Sequence, residues 1–111
     1  MRKFTFEVKP TFQKKVIIPV TGDDPREMTV TFKYKTRSEM DALFANITNM
    51  DDVSVLMELM SGWDADMRFD RGAVEKLHDT FMGAAGAIIQ AYTREMYGIP
   101  ETGTPGLVEK N

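Results

Sequence analysis

Met28-Thr29-Val30-Thr31-Phe32-Lys33-Tyr34-Lys35-Thr36-Arg37-Ser38-Glu39-Met40-Asp41-Ala42-Leu43-Phe44-Ala45-Asn46-Ile47 is where this chain changes its hydrophobic period. Up to Tyr34, apolar and polar residues alternate, the two-residue period of a half-buried strand. From Thr36 the pattern differs: Met40, Leu43, Phe44 and Ile47 fall at i, i+3, i+4 and i+7, one face of a helix. Thr36-Arg37-Ser38-Glu39 fits a capping box, in which the threonine oxygen accepts an orphan amide proton and the glutamate answers from the third helical position. A strand therefore runs directly into a helix here, and strands on one side with helices on the other predict an α+β domain.

Towards the N-terminus the strand signal continues. Phe4, Phe6 and Val8 alternate with Thr5 and Glu7, and Val16-Ile17-Ile18 follows Phe12. Pro10 and Thr21-Gly22-Asp23-Asp24-Pro25 supply turns, and Pro19 suits an edge or a strand end. The reading is a small antiparallel sheet of about three N-terminal strands.

Towards the C-terminus the helical period returns three times. A second helix starts near Asp51, with Val53, Leu56, Met57 and Met60 as its core stripe; Val55 and Leu59 widen the apolar arc to roughly 200°, more than burial on one face requires. After the joint Gly62-Trp63-Asp64, Asp70 can cap a short third helix bearing Val74 and Leu77. A fourth is expected from about Thr80 to Tyr97, with Phe81, Ala84, Ala85, Ile88 and Tyr92 as its stripe and Gly98 and Pro100 as stop signals. Gly83, Ala87 and Ala91 make one flank of that helix small enough for another helix to approach closely. Residues 1–98 thus form one α+β domain with about four packed helices. Residues 99–111, with Pro100, Gly103, Pro105 and Gly106, are expected to be a mobile tail.

Composition sets limits on function. With 111 residues, 42% hydrophobic and 28% charged, the chain is of ordinary globular make-up. Cysteine is absent, which removes disulfides, thiolate nucleophiles and cysteine-ligated metals and suits a reducing cytosol. The start lacks the apolar block of a secretory signal and no segment has the ~20 apolar residues of a membrane span, so a soluble cytoplasmic protein is expected. Residues 1–35 carry a net charge of +4 and residues 36–111 one of −7, together the overall −3. The opposite charges of the two halves, with the small flank of the fourth helix, give copies a way to associate weakly around a partner.

No active site assembles from these residues. His78 is the single histidine, no Gly-x-Ser-x-Gly motif accompanies it, and a structural histidine is the simpler reading. Asp64, Asp66, Asp70 and Glu75 occupy positions 1, 3, 7 and 12 of a twelve-residue loop, but Arg68 and Phe69 stand where calcium loops need an oxygen donor and a glycine. Gly83-Ala84-Ala85-Gly86 lies within a helical pattern and cradles no phosphate. No metal and no cofactor are expected. Lys9, Lys14, Lys15, Lys33 and Lys35 among aromatics allow an alternative reading as a nucleic-acid-binding regulator, although lysines on exposed strands also guard sheet edges.

Binding is the better reading. Nine methionines, with Met40, Met50, Met57, Met60 and Met67 in the middle of the chain, suit a surface that adapts to a long apolar partner. The lone tryptophan, Trp63, either locks the second helix onto the core or anchors a binding patch. The candidate partner-binding residues are Val55, Leu56, Leu59, Met60 and Trp63, read as a groove for an amphipathic partner helix.

The order of features resembles a known family. A lead Lys3-Phe4-x-Phe6-x-Val8-Lys9-Pro10-Thr11-Phe12, an Ile18-Pro19-Val20 strand end before Gly22-Asp23-Asp24, Val30 to Glu39 entering a helix, Gly62-Trp63-Asp64 and a closing Ala87-Ile88-Ile89-Gln90-Ala91-Tyr92 are similar to tail assembly chaperones of long-tailed bacteriophages and prophages. Members often open the last helix with proline where this chain has Met82. The resemblance implies a non-catalytic protein of virion assembly that binds the tape measure protein, keeps it soluble and helps recruit tail tube protein. It further implies action in the bacterial host cytoplasm, absence from the mature virion, and no engagement of nucleic acid or membrane.

Overall fold

A computed structural model describes residues 3–99. Its elements are β1 (Thr11–Ile18), β2 (Arg26–Lys33), α1 (Arg37–Asn46), a 3-10 turn (Ile47–Asn49), α2 (Asp52–Leu59), β3 (Met60–Trp63), α3 (Arg71–Thr80) and α4 (Ala84–Tyr97). This is the α+β arrangement expected, a three-stranded antiparallel sheet in the order β1-β2-β3 with four helices.

Alternation decides which face of the sheet is covered. Phe12, Val16 and Ile18 of β1 pair with Phe32, Met28 and Arg26 of β2, and their apolar members turn towards the helices. Gln13, Lys15 and Ile17 turn to solvent. Phe12, Phe32 and Tyr92 of α4 form a ring cluster, with centroids 5.6 Å apart for the two phenylalanines and 5.2 Å for Phe32 and Tyr92. The Tyr92 hydroxyl donates to the Lys33 carbonyl at 2.8 Å, so the end of β2 is tied to α4 by the one polar atom of that ring. Burial pushes the Tyr92 phenol up to about 12.

The helix boundaries follow their local signals. Thr36 and Glu39 close a capping box, Thr36 N donating to Glu39 Oε1 at 2.8 Å and Glu39 N to Thr36 Oγ1 at 3.2 Å. Asp51 and Asp70 accept from Ser54 N and Ala73 N, each at 2.8 Å. Hydrogen bonds from Ser54, its side chain first and then its amide, hold the Asp51 carboxyl below the ordinary aspartate range. Gly98, at φ +70°, ends α4 in the left-handed conformation, with Ile99 N donating to Arg94 O at 2.8 Å and Gly98 N to Glu95 O at 3.3 Å. That is the paired bonding of a Schellman turn.

Two sequence expectations need correction. Phe4 to Val8 form no strand; they lie outside the sheet with Phe4 83%, Phe6 90% and Val8 61% exposed. The third strand is instead Met60–Trp63, a stretch without alternation, which pairs antiparallel with β2. Phe32 faces Met60 while Thr31 faces Gly62, so Ser61 is the extra residue of a β-bulge. A period-two pattern prepares a segment for a ladder but cannot supply the partner, and β2's second edge is filled by the chain leaving α2.

The start of the last helix also moves. α3 runs on to Thr80, and Phe81 to Gly83 form the link before α4 begins at Ala84. A Cβ on Gly83 would lie 2.8 Å from Pro19 Cγ, so the link passes too close to the end of β1 for any side chain there. The tail expectation falls on residues 100–111, outside the described residues, apart from Ile99.

Candidate partner-binding surface

The joint that supplies β3 also builds a largely apolar cleft near the surface. Asp64 N donates to Thr29 O at 3.0 Å, and Thr29 N donates to the Asp64 carboxylate at 2.8 Å, a side chain standing where the next strand carbonyl would be. This clamp ends the strand and turns the chain into the loop Asp64–Asp70. Trp63 Nε1 donates to Met67 O at 2.6 Å across that loop, and the indole meets Phe69 edge-on with centroids 5.2 Å apart. Trp63 is thus partly buried and fixed at its polar atom, and it serves as a wall more than as a free anchor.

Between this loop and α3 lies a cleft of about 250 Å³, whose large apolar lining residues are Trp63, Met67, Leu77 and Phe81, with Asp66, Lys76 and Thr80 also lining it. It adjoins a second of about 270 Å³ that shares Leu77 and Phe81 and is completed by Ile18, Val20 and Met28 at the far end of the sheet. Arg26 places its guanidinium 6.0 Å from the Phe81 ring. Met67 is 43% exposed at one rim, and Met82, next in sequence to Phe81, is 88% exposed. Flexible thioethers around an aromatic-floored cleft can fit varied apolar side chains.

The residues read from the sequence as a groove are placed differently. Val55, Leu56, Leu59 and Met60 are buried, none more than 3% exposed, and belong to the single core cluster. α2 is apolar on several sides because it has several neighbours: β2, β3, α3 and α4 all pack on it. Of the five, only Trp63 reaches the surface. The structure brings to it three side chains the groove reading missed: Met67, noted only for its residue type, and Leu77 and Phe81, assigned to core stripes. Leu77 and Phe81 come from α3 and the link beyond it, and this distance along the chain hid their association with Trp63.

Polar groups elsewhere are largely engaged. His78 Nε2 lies 2.9 Å from Asp52 Oδ2, tying α3 to α2, while the Ser54 hydroxyl accepts from Arg71 at 3.2 Å. The four carboxylates of the calcium-like spacing do not converge, since Asp64 holds Thr29, Asp70 caps α3, and Glu75 pairs with Arg71 at 3.5 Å. Among the described residues no group of three or more His, Asp or Glu could hold a metal. Lys14 pairs with Glu95, Lys35 with Glu58, and Lys33 Nζ donates to Met57 O. Three of the five strand lysines are thus held in separate local contacts. Among the described residues no helix is long and apolar enough to cross a membrane.

A model of one protein family, described as phage tail assembly chaperone, matches residues 1–99. The match covers most of the chain, and this protein belongs to the phage tail assembly chaperone family. Searches of curated proteins and of solved structures return no significant match.

Proposed function

We propose that this protein is a non-catalytic chaperone that binds the tape measure protein of its phage or prophage, keeps it soluble and helps recruit tail tube protein. It acts in the bacterial host cytoplasm and leaves before the virion matures. Family membership supports a part in tail assembly. The observation that carries the binding step is the pair of adjoining apolar clefts rimmed by Met67 and floored by Leu77 and Phe81. A long helical partner needs shelter for apolar side chains at i, i+3 and i+4, and a cleft that runs from the Trp63 joint to the end of the sheet offers it. Of the residues first read as a groove, Trp63 forms a wall of this surface, while Val55, Leu56, Leu59 and Met60 lie in the core.

The test is capture of purified tape measure protein by the immobilised chain. The double variant Met67→Asp/Phe81→Asp should stay folded by circular dichroism and lose capture by at least about tenfold, the cost of placing two carboxylates in an apolar contact. A folded variant that still captures the protein as well as the parent does would contradict the assignment of this surface.

A further inference from the structure

The segment Lys3–Lys9 carries the alternation of a strand but forms none, and β1 is a sheet edge with no described strand on its outer side. Phe4, Phe6 and Val8 alternate with polar residues and are among the most exposed apolar residues described; the Phe4 and Phe6 rings meet edge-on with centroids 5.3 Å apart, and Val8 lines a shallow cleft with Phe12, Tyr34 and Met96. A soluble domain rarely leaves so much contiguous apolar surface uncovered without a use for it.

β1 is the outer strand opposite β3 in the order β1-β2-β3. Tyr34 N donates to Pro10 O, which marks Pro10 and Tyr34 as a hydrogen-bonded pair. Continuing the antiparallel register, Phe12, Lys14, Val16 and Ile18 bond to β2, and Gln13, Lys15 and Ile17 direct their backbone N–H and C=O groups to the open edge. Beside that edge lies a cleft of about 260 Å³, lined by the consecutive residues Lys14 to Ile17 on one side and on the other by Ala87 and Ala91 of α4, with Gln90, Arg94 and Glu95 along the same helix. The small flank noted in the sequence leaves this space open.

We propose that Lys3–Lys9 of one copy adds as a further strand to the β1 edge of a second copy, its apolar side chains covering the cleft between β1 and α4. Lengths agree, since seven extended residues span about 23 Å and the eight of β1 about 26 Å. So do the faces. With Phe4, Phe6 and Val8 turned to the cleft, Glu7 lies on the solvent side with Lys15, an opposite-charge neighbour. The arm reaches β1 through Lys9-Pro10 alone, and Lys9 does not have the positive φ that a two-residue primed hairpin turn would need there, so the arm as described is not folded back on its own edge. Pairing is therefore between molecules, a form of strand exchange.

Sedimentation velocity over a concentration series tests this on the full chain. The parent is expected to self-associate reversibly. Phe4→Ser/Phe6→Ser should weaken association by roughly tenfold per ring without altering the melting curve. Lys15→Pro removes an outward N–H, leaves the β2 ladder intact, and should also give monomers. Mixed together, the two variants should form a one-to-one pair and nothing larger, because one retains the arm and the other the edge. A parent that stays monomeric at every concentration, an arm variant that associates as the parent does, or folded variants that fail to pair on mixing would each overturn the proposal. If Lys15→Pro does not fold, the arm variant decides alone.

Discussion

Two short extended stretches of this chain contrast sharply, the arm Lys3–Lys9 and the joint Met60–Trp63. The arm has a clear strand pattern in sequence and lies outside the sheet; the joint has none, contains a glycine and is the third strand. Pattern records what a segment can bury, whereas position records what it can reach. The joint follows a helix fixed on the core, and this delivers it to the free side of β2. The arm precedes β1 by a single proline and pairs with no described strand, although Val8 and Lys9 at its end line a cleft with Phe12, Tyr34 and Met96.

The comparison breaks most easily at Met60. It is 1% exposed, and Met60→Ala should cost about 2–5 kcal/mol in urea unfolding, the range for emptying a packed methionine site. The parallel change Phe6→Ala in the arm should stay within about 0.5 kcal/mol. A comparable loss from both would show that the arm docks on its own domain.

Alkaline titration probes the strand that the joint pairs with, because Tyr92 holds the end of β2. Its phenol is raised above its unfolded value to about 12, so its contribution to stability is complete below about pH 10 and is lost as pH rises towards 12. Tyr92→Phe should flatten that alkaline fall in thermal scans.

A smaller effect is expected at Asp64, whose carboxylate holds Thr29 N. Asp64→Ala should cost about 1 kcal/mol and speed hydrogen exchange at the Thr29 amide, with little change at α4. Smaller again is the acid response of Asp51, which caps the helix leading into the joint. Its carboxyl is depressed, so its contribution is present above the unfolded pKa and fades as pH falls through the folded one; Asp51→Asn should remove that part of the acid slope.

What could be read from the sequence was local. Thr36 with Glu39, Asp51, Asp70 and Gly98 each announce a helix end through a side chain or a backbone freedom that acts within a few residues, and all four ends lie where they were read. β3 was not legible, because its strand character comes from the Thr31–Gly62 and Thr29–Asp64 pairings, some thirty residues apart. The two-sided α2 was legible as an anomaly, but its cause was not. A helix apolar beyond one stripe can meet a partner or be surrounded by its own domain, and only the placement of α3 and α4 shows the second. Of the surface proposed for binding, Trp63 was singled out in the sequence and its neighbours Leu77 and Phe81 were not, since they come from a different helix and the link beyond it.

This protein is proposed to shelter the apolar helical surface of the tape measure protein. The most direct measurement is the soluble fraction of that protein expressed in bacteria with and without this chain, read by centrifugation and gel densitometry. Soluble yield should rise several-fold with the parent chain and fall back with Met67→Asp/Phe81→Asp. A yield that does not change when the parent chain is present, at equal expression, would contradict it.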